Sequence, residues 1–175
     1  MTIEDNEIVI NDIVARRAFL IILDWLLLLI QRFSNPLQFD MVHIEYGNNN
    51  ELADNYGALD ACQQLSLVTE SLAKAFRKTD IVARDGTDFW VIAPYTSDDE
   101  KLHDKILRIF QEEKHHALNM VDREISIFLI PLTGIEINKL PTKSIEFLNY
   151  LKVNKHHLAS HTFRFSATDT VLMKC

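Results

Sequence analysis

Two apolar runs meet at a tight-turn signal within residues 77–94, RKTDIVARDGTDFWVIAP. Ile81, Val82 and Ala83 lead into Asp85-Gly86, and a second apolar run over residues 89–93 stops at Pro94. Apolar segments joined by Asp-Gly predict a β-hairpin. Any fold for this chain must therefore contain antiparallel sheet, with one acid, Asp88, at the base of the second strand. Loops held by a rigid sheet are frequent sites of binding and catalysis.

The rest of the chain supplies what such a sheet needs. Residues 12–33 have a helical pattern that Ser34-Asn35-Pro36 ends, because the residue before proline avoids the helical region. Residues 38–46 read as a strand apolar on both faces, hence central, and Gly47-Asn48-Asn49-Asn50 breaks it. Ala58, Ala61, Cys62, Leu65, Val68, Leu72, Ala75 and Phe76 recur at three- and four-residue steps, the signature of an amphipathic helix. After the hairpin, Ser97-Asp98-Asp99-Glu100 has capping-box spacing and opens a helix with Leu102, Ile106, Ile109 and Phe110 on one face. Residues 125–130 read as a strand stopped by Pro131, residues 141–151 as a shorter helix, and residues 162–165 as a short last strand. The order predicts an α+β fold with a ferredoxin-like βαββαβ core: four antiparallel strands with helices on one face, preceded by an extra hydrophobic helix. The expected division is an acidic tail over residues 1–11, one domain over 12–166, and a C-terminal tail over 167–175.

A chain of 175 residues, 47% apolar and 25% charged, is expected to form one domain with a sizeable core. Its net charge of −7 argues against long nucleic acid, which needs a basic surface. A small anionic ligand needs only one or two arginines. Two cysteines, Cys62 and Cys175, make no disulfide framework and point to a reducing, cytoplasmic setting.

Residues 18–30, AFLIILDWLLLLI, are too short to span a bilayer and carry Asp24 near their middle. They are also more apolar than one packing face requires. A protein partner or a second copy of the chain is expected to cover the excess, with Leu26 and Leu29 among the residues to test.

In this order of elements, several short stretches resemble the GGDEF (diguanylate cyclase) family. Arg77 to Arg84 is similar to the R-x-x-D element, strand and arginine that precede the family signature. The signature, G-G-D/E-E-F, stands here as Asp85-Gly86-Thr87-Asp88-Phe89, one residue short. Val14-Ala15-Arg16-Arg17-Ala18-Phe19-Leu20 resembles the family's N-R-R-x-F-L helix start. Tyr56-Gly57 with Leu65 matches the spacing of Y-G-H-x-x-G-D-x-x-L, and Ile125-Ser126-Ile127 resembles a later strand.

The resemblance implies a scaffold built to condense two GTP molecules with carboxylate-held metal, for signalling through cyclic di-GMP in bacteria. The departures imply that this chemistry is lost. Glu45 keeps a carboxylate where the first metal ligand stands, but Asn50 replaces a lysine, and Ala53 and Cys62 replace groups that read guanine. Losing such hydrogen-bonding partners costs orders of magnitude in discrimination. Thr87 puts a side chain where the second signature glycine lets the backbone approach phosphate. The expectation is a catalytically inactive, GGDEF-like signalling domain with no resident cofactor, acting by protein contact. Arg77 and Asp80 would form an inhibitory-type site for cyclic di-GMP, since guanidinium and carboxylate suit phosphate and guanine. The alternative is a divergent nucleotide-processing enzyme in which Glu45 and Asp88 share magnesium, bound only together with nucleotide. A purely structural module is the third reading.

His115, His116, His156, His157 and His161 include spacings that suit a metal, yet no acid or cysteine completes a set, and surface histidines are expected. Trp25 and Trp90 lie in apolar runs and are expected in the core or at an interface.

Overall fold

The computed structural model describes residues 3–33, 37–46, 58–94, 99–111 and 122–165. Its elements are α1 (Ile3–Arg32), β1 (Phe39–Tyr46), α2 (Ala58–Ala75), β2 (Ile81–Asp85), β3 (Asp88–Pro94) and α3 (Asp99–Gln111). There follow β4 (Arg123–Ile130), a 3-10 turn (Ile137–Lys139), α4 (Ser144–Val153), the short α5 (Lys155–Leu158) and β5 (His161–Phe165). Helix α1 starts at Ile3, within the stretch that the sequence leaves to an acidic tail.

The strands form one antiparallel sheet in the order β2-β3-β1-β4-β5. Its first four members reproduce the ferredoxin-like order, and the short last strand joins as a fifth at the edge. As its two apolar faces require, β1 is central. The hairpin pairs without a break from Ile81↔Ile92 to Asp85↔Asp88. The turn is therefore Gly86-Thr87, one residue later than the Asp-Gly signal suggests. Gly86 takes φ of 67°, a left-handed conformation that glycine adopts without strain.

The two helices of the βαββαβ core, α2 and α3, share one face as expected, and α1 and α4 cover the other. Val42, Ile44, Phe89, Val91, Ile125 and Ile127 point to one side, where Leu65, Val68 and Leu72 of α2 and Leu102 and Ile106 of α3 cover them. Phe39, Met41, Trp90, Ile92, Phe128 and Ile130 point to the other, under Phe19, Leu23, Leu27 and Ile30 of α1 and Phe147 and Leu151 of α4. Side chains alternate along a strand, so strands apolar on both faces need two helical layers. Helix α1 is thus the second layer of the core and no appendage.

Asp24, the charge within the apolar run, has a local purpose. Its Oδ1 accepts a hydrogen bond from Ser144 N at 2.6 Å, serving one of the orphan donors that open α4. Among the described residues, no helix is long and apolar enough to cross a membrane.

Candidate functional site

Strand register places one charged residue from each strand in a line across the sheet. Asp85 of β2 faces Asp88 of β3, Asp88 faces Glu45 of β1, Glu45 faces Glu124 of β4, and Glu124 faces Arg164 of β5. Partners in register point to the same face, here the face under α1 and α4. Carboxylates this close repel unless cations stand between them.

The cations come from the helices above. Arg16 of α1 reaches Asp85 with Nε 2.9 Å from Oδ1. Lys152 of α4 donates to Asp88 Oδ2 and lies 4.0 Å from Glu45 Oε1. Lys155, at the start of α5, stands 2.5 Å from Glu45 Oε2 and 2.7 Å from Glu124 Oε1. Arg164 Nε closes the line 2.6 Å from Glu124 Oε2. One step further along β1, buried His43 stacks on Trp90 at 4.2 Å and turns Nε2 toward Asp88 Oδ2 at 3.7 Å.

These contacts set the protonation of the line. Burial raises the Asp88 carboxyl, but His43 and Lys152 outweigh it and hold the group below its ordinary 3.8. His43 at 3.7 Å is past hydrogen-bond length, so Lys152, in direct contact, carries the larger share. Burial likewise raises Glu124, and hydrogen bonds from Lys155 and Arg164 bring it below 4.5. Burial lowers Lys155, and the two carboxylates on it more than compensate, so it stays protonated above 10.5.

Sequence reading picks Glu45 and Asp88 as a metal pair, and the sheet sets them directly opposite one another. It does not foresee Lys152 and Lys155, which meet them from far along the chain. Magnesium would need the oxygens that the two ammonium groups now engage. Among the described residues, no three His, Cys, Asp or Glu side chains are grouped to hold a metal ion. As arranged, the carboxylate line does not fit one.

On the opposite face, Cys62 touches the arginine that precedes the signature. Arg84 Nη2 lies 3.6 Å from Cys62 Sγ and Nε 3.0 Å from Asp12 of α1, whose carboxylate also accepts from Ser66 at 3.1 Å. Asn50, Ala53, Tyr56 and Gly57 lie outside the described residues.

Arg77 and Asp80 come together at the turn between α2 and β2. Asp80 Oδ2 accepts from Arg77 N at 2.9 Å, so one carboxylate oxygen already closes the turn, while the Arg77 side chain is exposed. Lys105 of α3 joins them, its Nζ 4.7 Å from the centre of the Phe76 ring. Burial lowers the Lys105 pKa, opposed by the charge of Asp80 and reinforced by that of Arg77. A lysine between Leu102 and Ile106 on a helix is the only hint that the sequence carries of this third member.

His156 and His157 are exposed on α5, and His161 stacks edge-on with His103, ring centres 5.8 Å apart. His115 and His116 lie outside the described residues. Trp90 is buried as expected, whereas Trp25 is exposed. Leu26 faces the core, so the open side of α1 is not the one that Leu26 would mark.

The described residues thus form an antiparallel sheet in this order with helices on both faces and an acidic hairpin beside the end of a central strand. Residues 10–155 match the family described as diguanylate cyclase, GGDEF domain, and the chain belongs to it. No curated protein matches the chain. Among solved structures it is similar to the GGDEF domain of PA1120 (TpbB or YfiN) from Pseudomonas aeruginosa, at 18% identity and TM-score 0.54, covering 91% of this chain and 94% of that one. The coiled coil and GGDEF domain of DgcB from Caulobacter crescentus, in complex with c-di-GMP, gives 11% identity and TM-score 0.57 over 80% of this chain and 73% of that one. Diguanylate cyclase SiaD of Pseudomonas aeruginosa, in complex with its activator SiaC, gives 12% and 0.54 over 80% and 55%. At these identities the likeness concerns the fold.

Proposed function

We propose that this is a GGDEF-family signalling domain that works in the cytoplasm by binding and not by turnover. The observation that carries the reading is the pair of lysines on the carboxylate line. Lys152 and Lys155 engage Asp88 and Glu45, the acids that a metal would need, and a cation must displace both ammonium groups to enter. The shortened signature and the loss of guanine-reading groups at Ala53 and Cys62 act in the same direction.

Two kinds of binding fit the remaining surface. Arg77, Asp80 and Lys105 offer a guanidinium, a carboxylate and an ammonium to cyclic di-GMP, the ligand present in the DgcB structure. The exposed side of α1 offers a protein contact, and SiaD shows a family member held by a protein activator. The second reading, a magnesium-dependent nucleotide enzyme, rests on the direct opposition of Glu45 and Asp88 and requires the lysines to withdraw.

Calorimetry separates the readings. Heat with cyclic di-GMP that disappears in Arg77→Ala supports the binding site, and silence with that ligand removes it. Conversion of Mg-GTP to product replaces the binding reading with the enzymatic one.

A further inference from the structure

Two histidines that the proposed function does not use meet at the edge of the sheet. His161 opens β5 and pairs in register with Ile127, so it points to the face covered by α2 and α3, away from the carboxylate line. His103 of α3 meets it there, with ring centres 5.8 Å apart and planes at 69°, and packs edge-on against Phe163 at 4.3 Å. Hydrogen bonds fix the tautomer of each neutral ring. His103 Nδ1 lies 3.2 Å from Asp104 Oδ1, and an ionised carboxylate can only accept, so the proton is on Nδ1. Ser160 Oγ gives its hydrogen to Ile127 O at 3.1 Å and therefore accepts from His161 Nδ1 at 3.2 Å. Both rings thus keep the metal-binding lone pair on Nε2, with Nδ1–H held by an oxygen, the arrangement that orients histidine ligands.

We propose that His103 and His161 bind a zinc-type divalent ion through their Nε2 atoms and so clip the edge strand β5 to α3. Spacing selects the ion. Two imidazoles on a tetrahedral ion, with Zn–N bonds of about 2.0–2.1 Å, have ring centres about 5.2 Å apart. At the right angle of a square-planar Cu²⁺ site the centres would be about 4.5 Å apart. The observed 5.8 Å is nearer the first, and rotation of the exposed His161 side chain closes the remainder. Magnesium, which takes oxygen ligands, does not suit a pair of imidazoles. Among the described residues no third ligand joins the pair, so water completes the tetrahedron and the affinity stays below that of a closed four-ligand site. As the edge strand, β5 is held by β4 on one side, and the ion adds a second attachment at its first residue.

Calorimetric titration of ZnCl2 into the metal-free chain tests the site. The strongest event is expected at one ion per chain. Losing a ligand costs at least what losing its hydrogen-bond partner does, so His103→Ala and His161→Ala should each weaken that event about tenfold or more. His156→Ala/His157→Ala should leave it unchanged, and all variants should keep the circular dichroism of the wild type. Saturating Zn²⁺ should also slow amide exchange across β5 in the wild type and not in the two single variants. Absence of heat up to ~1 mM Zn²⁺, a concentration that reaches even weak complexes, overturns the site. So does unchanged affinity in either single variant, which would mark an adventitious ion only. Unchanged exchange in β5 at saturating Zn²⁺ overturns the clip. The outcome is independent of the binding reading, because the histidines lie on the face away from Glu45 and Asp88.

Discussion

Lys155 Nζ stands between Glu45 Oε2 at 2.5 Å and Glu124 Oε1 at 2.7 Å, so one ammonium ties β1 to β4 from the helix above. The three side chains are only part exposed, and removing the cation leaves two facing carboxylates with no counter-charge from α5. Lys155→Met is expected to destabilise the fold by about 1–3 kcal/mol, measured by urea denaturation. Lys152→Met/Lys155→Met together should also open the carboxylates to a divalent ion. Millimolar Mg²⁺ is then expected to raise the melting temperature of the double variant and leave that of the wild type unchanged. A wild type equally stabilised by Mg²⁺ would count against the lysines as blocking groups.

The same ion pairs fix a pH dependence. Asp88 and Glu124 ionise below their ordinary values of 3.8 and 4.5, so the stability they contribute is full above those values and is lost as pH falls through the depressed ones. Lys155, raised above 10.5, contributes fully below that value, and its share disappears as pH rises through the raised one. Melting temperature should therefore be flat across neutral pH and fall at both ends. Glu124→Gln is expected to lower the plateau and flatten the acid limb; an unchanged acid limb would contradict the assignment.

Asp24 illustrates what local pattern conceals. In the sequence it is a charge interrupting an apolar run, useful only as an argument against a membrane span. In the fold it caps α4 from the other helix of its layer. Asp24→Ala is expected to cost about 1 kcal/mol, as lost N-caps do, and Asp24→Asn less than half as much. Equal losses in the two variants would mean that packing, and not the hydrogen bond, is what Asp24 supplies.

Helix α1 is also clipped to the signature hairpin by two ion pairs of different exposure. Arg16–Asp85 is open to solvent, with side chains 42% and 51% exposed, whereas Asp12–Arg84 is mostly covered at 14% and 13%. Screening leaves the first worth at most about 1 kcal/mol. Asp12→Ala strips a partner from both Arg84 and Ser66 and should cost about 1–3 kcal/mol, clearly more than Arg16→Ala. Denaturation midpoints of the two variants check the ranking.

The hairpin, the central strand and α2 are legible in the sequence because each is set by neighbours a few residues apart. The two apolar faces of residues 38–46 already imply a helical layer on each side of the sheet. The layer with α1 and α4 is missed because α1, read alone, resembles an addition to a complete core. Glu45 and Asp88 are drawn together by strand register, and Arg77 and Asp80 by the turn that follows α2. Lys152, Lys155, Lys105 and His43 are not legible, since each acquires its meaning from a partner brought close by folding. Leu26 was expected on the open side of α1 and is buried, because apolar residues on every side of a helix leave its orientation undetermined by periodicity.

Incubating the purified chain with Mg-GTP and separating the nucleotides is the most direct test. With the lysines holding Glu45 and Asp88, GTP should be recovered unchanged. Formation of a cyclic dinucleotide would contradict the binding reading, since the carboxylates would then have to exchange ammonium for metal during each turnover.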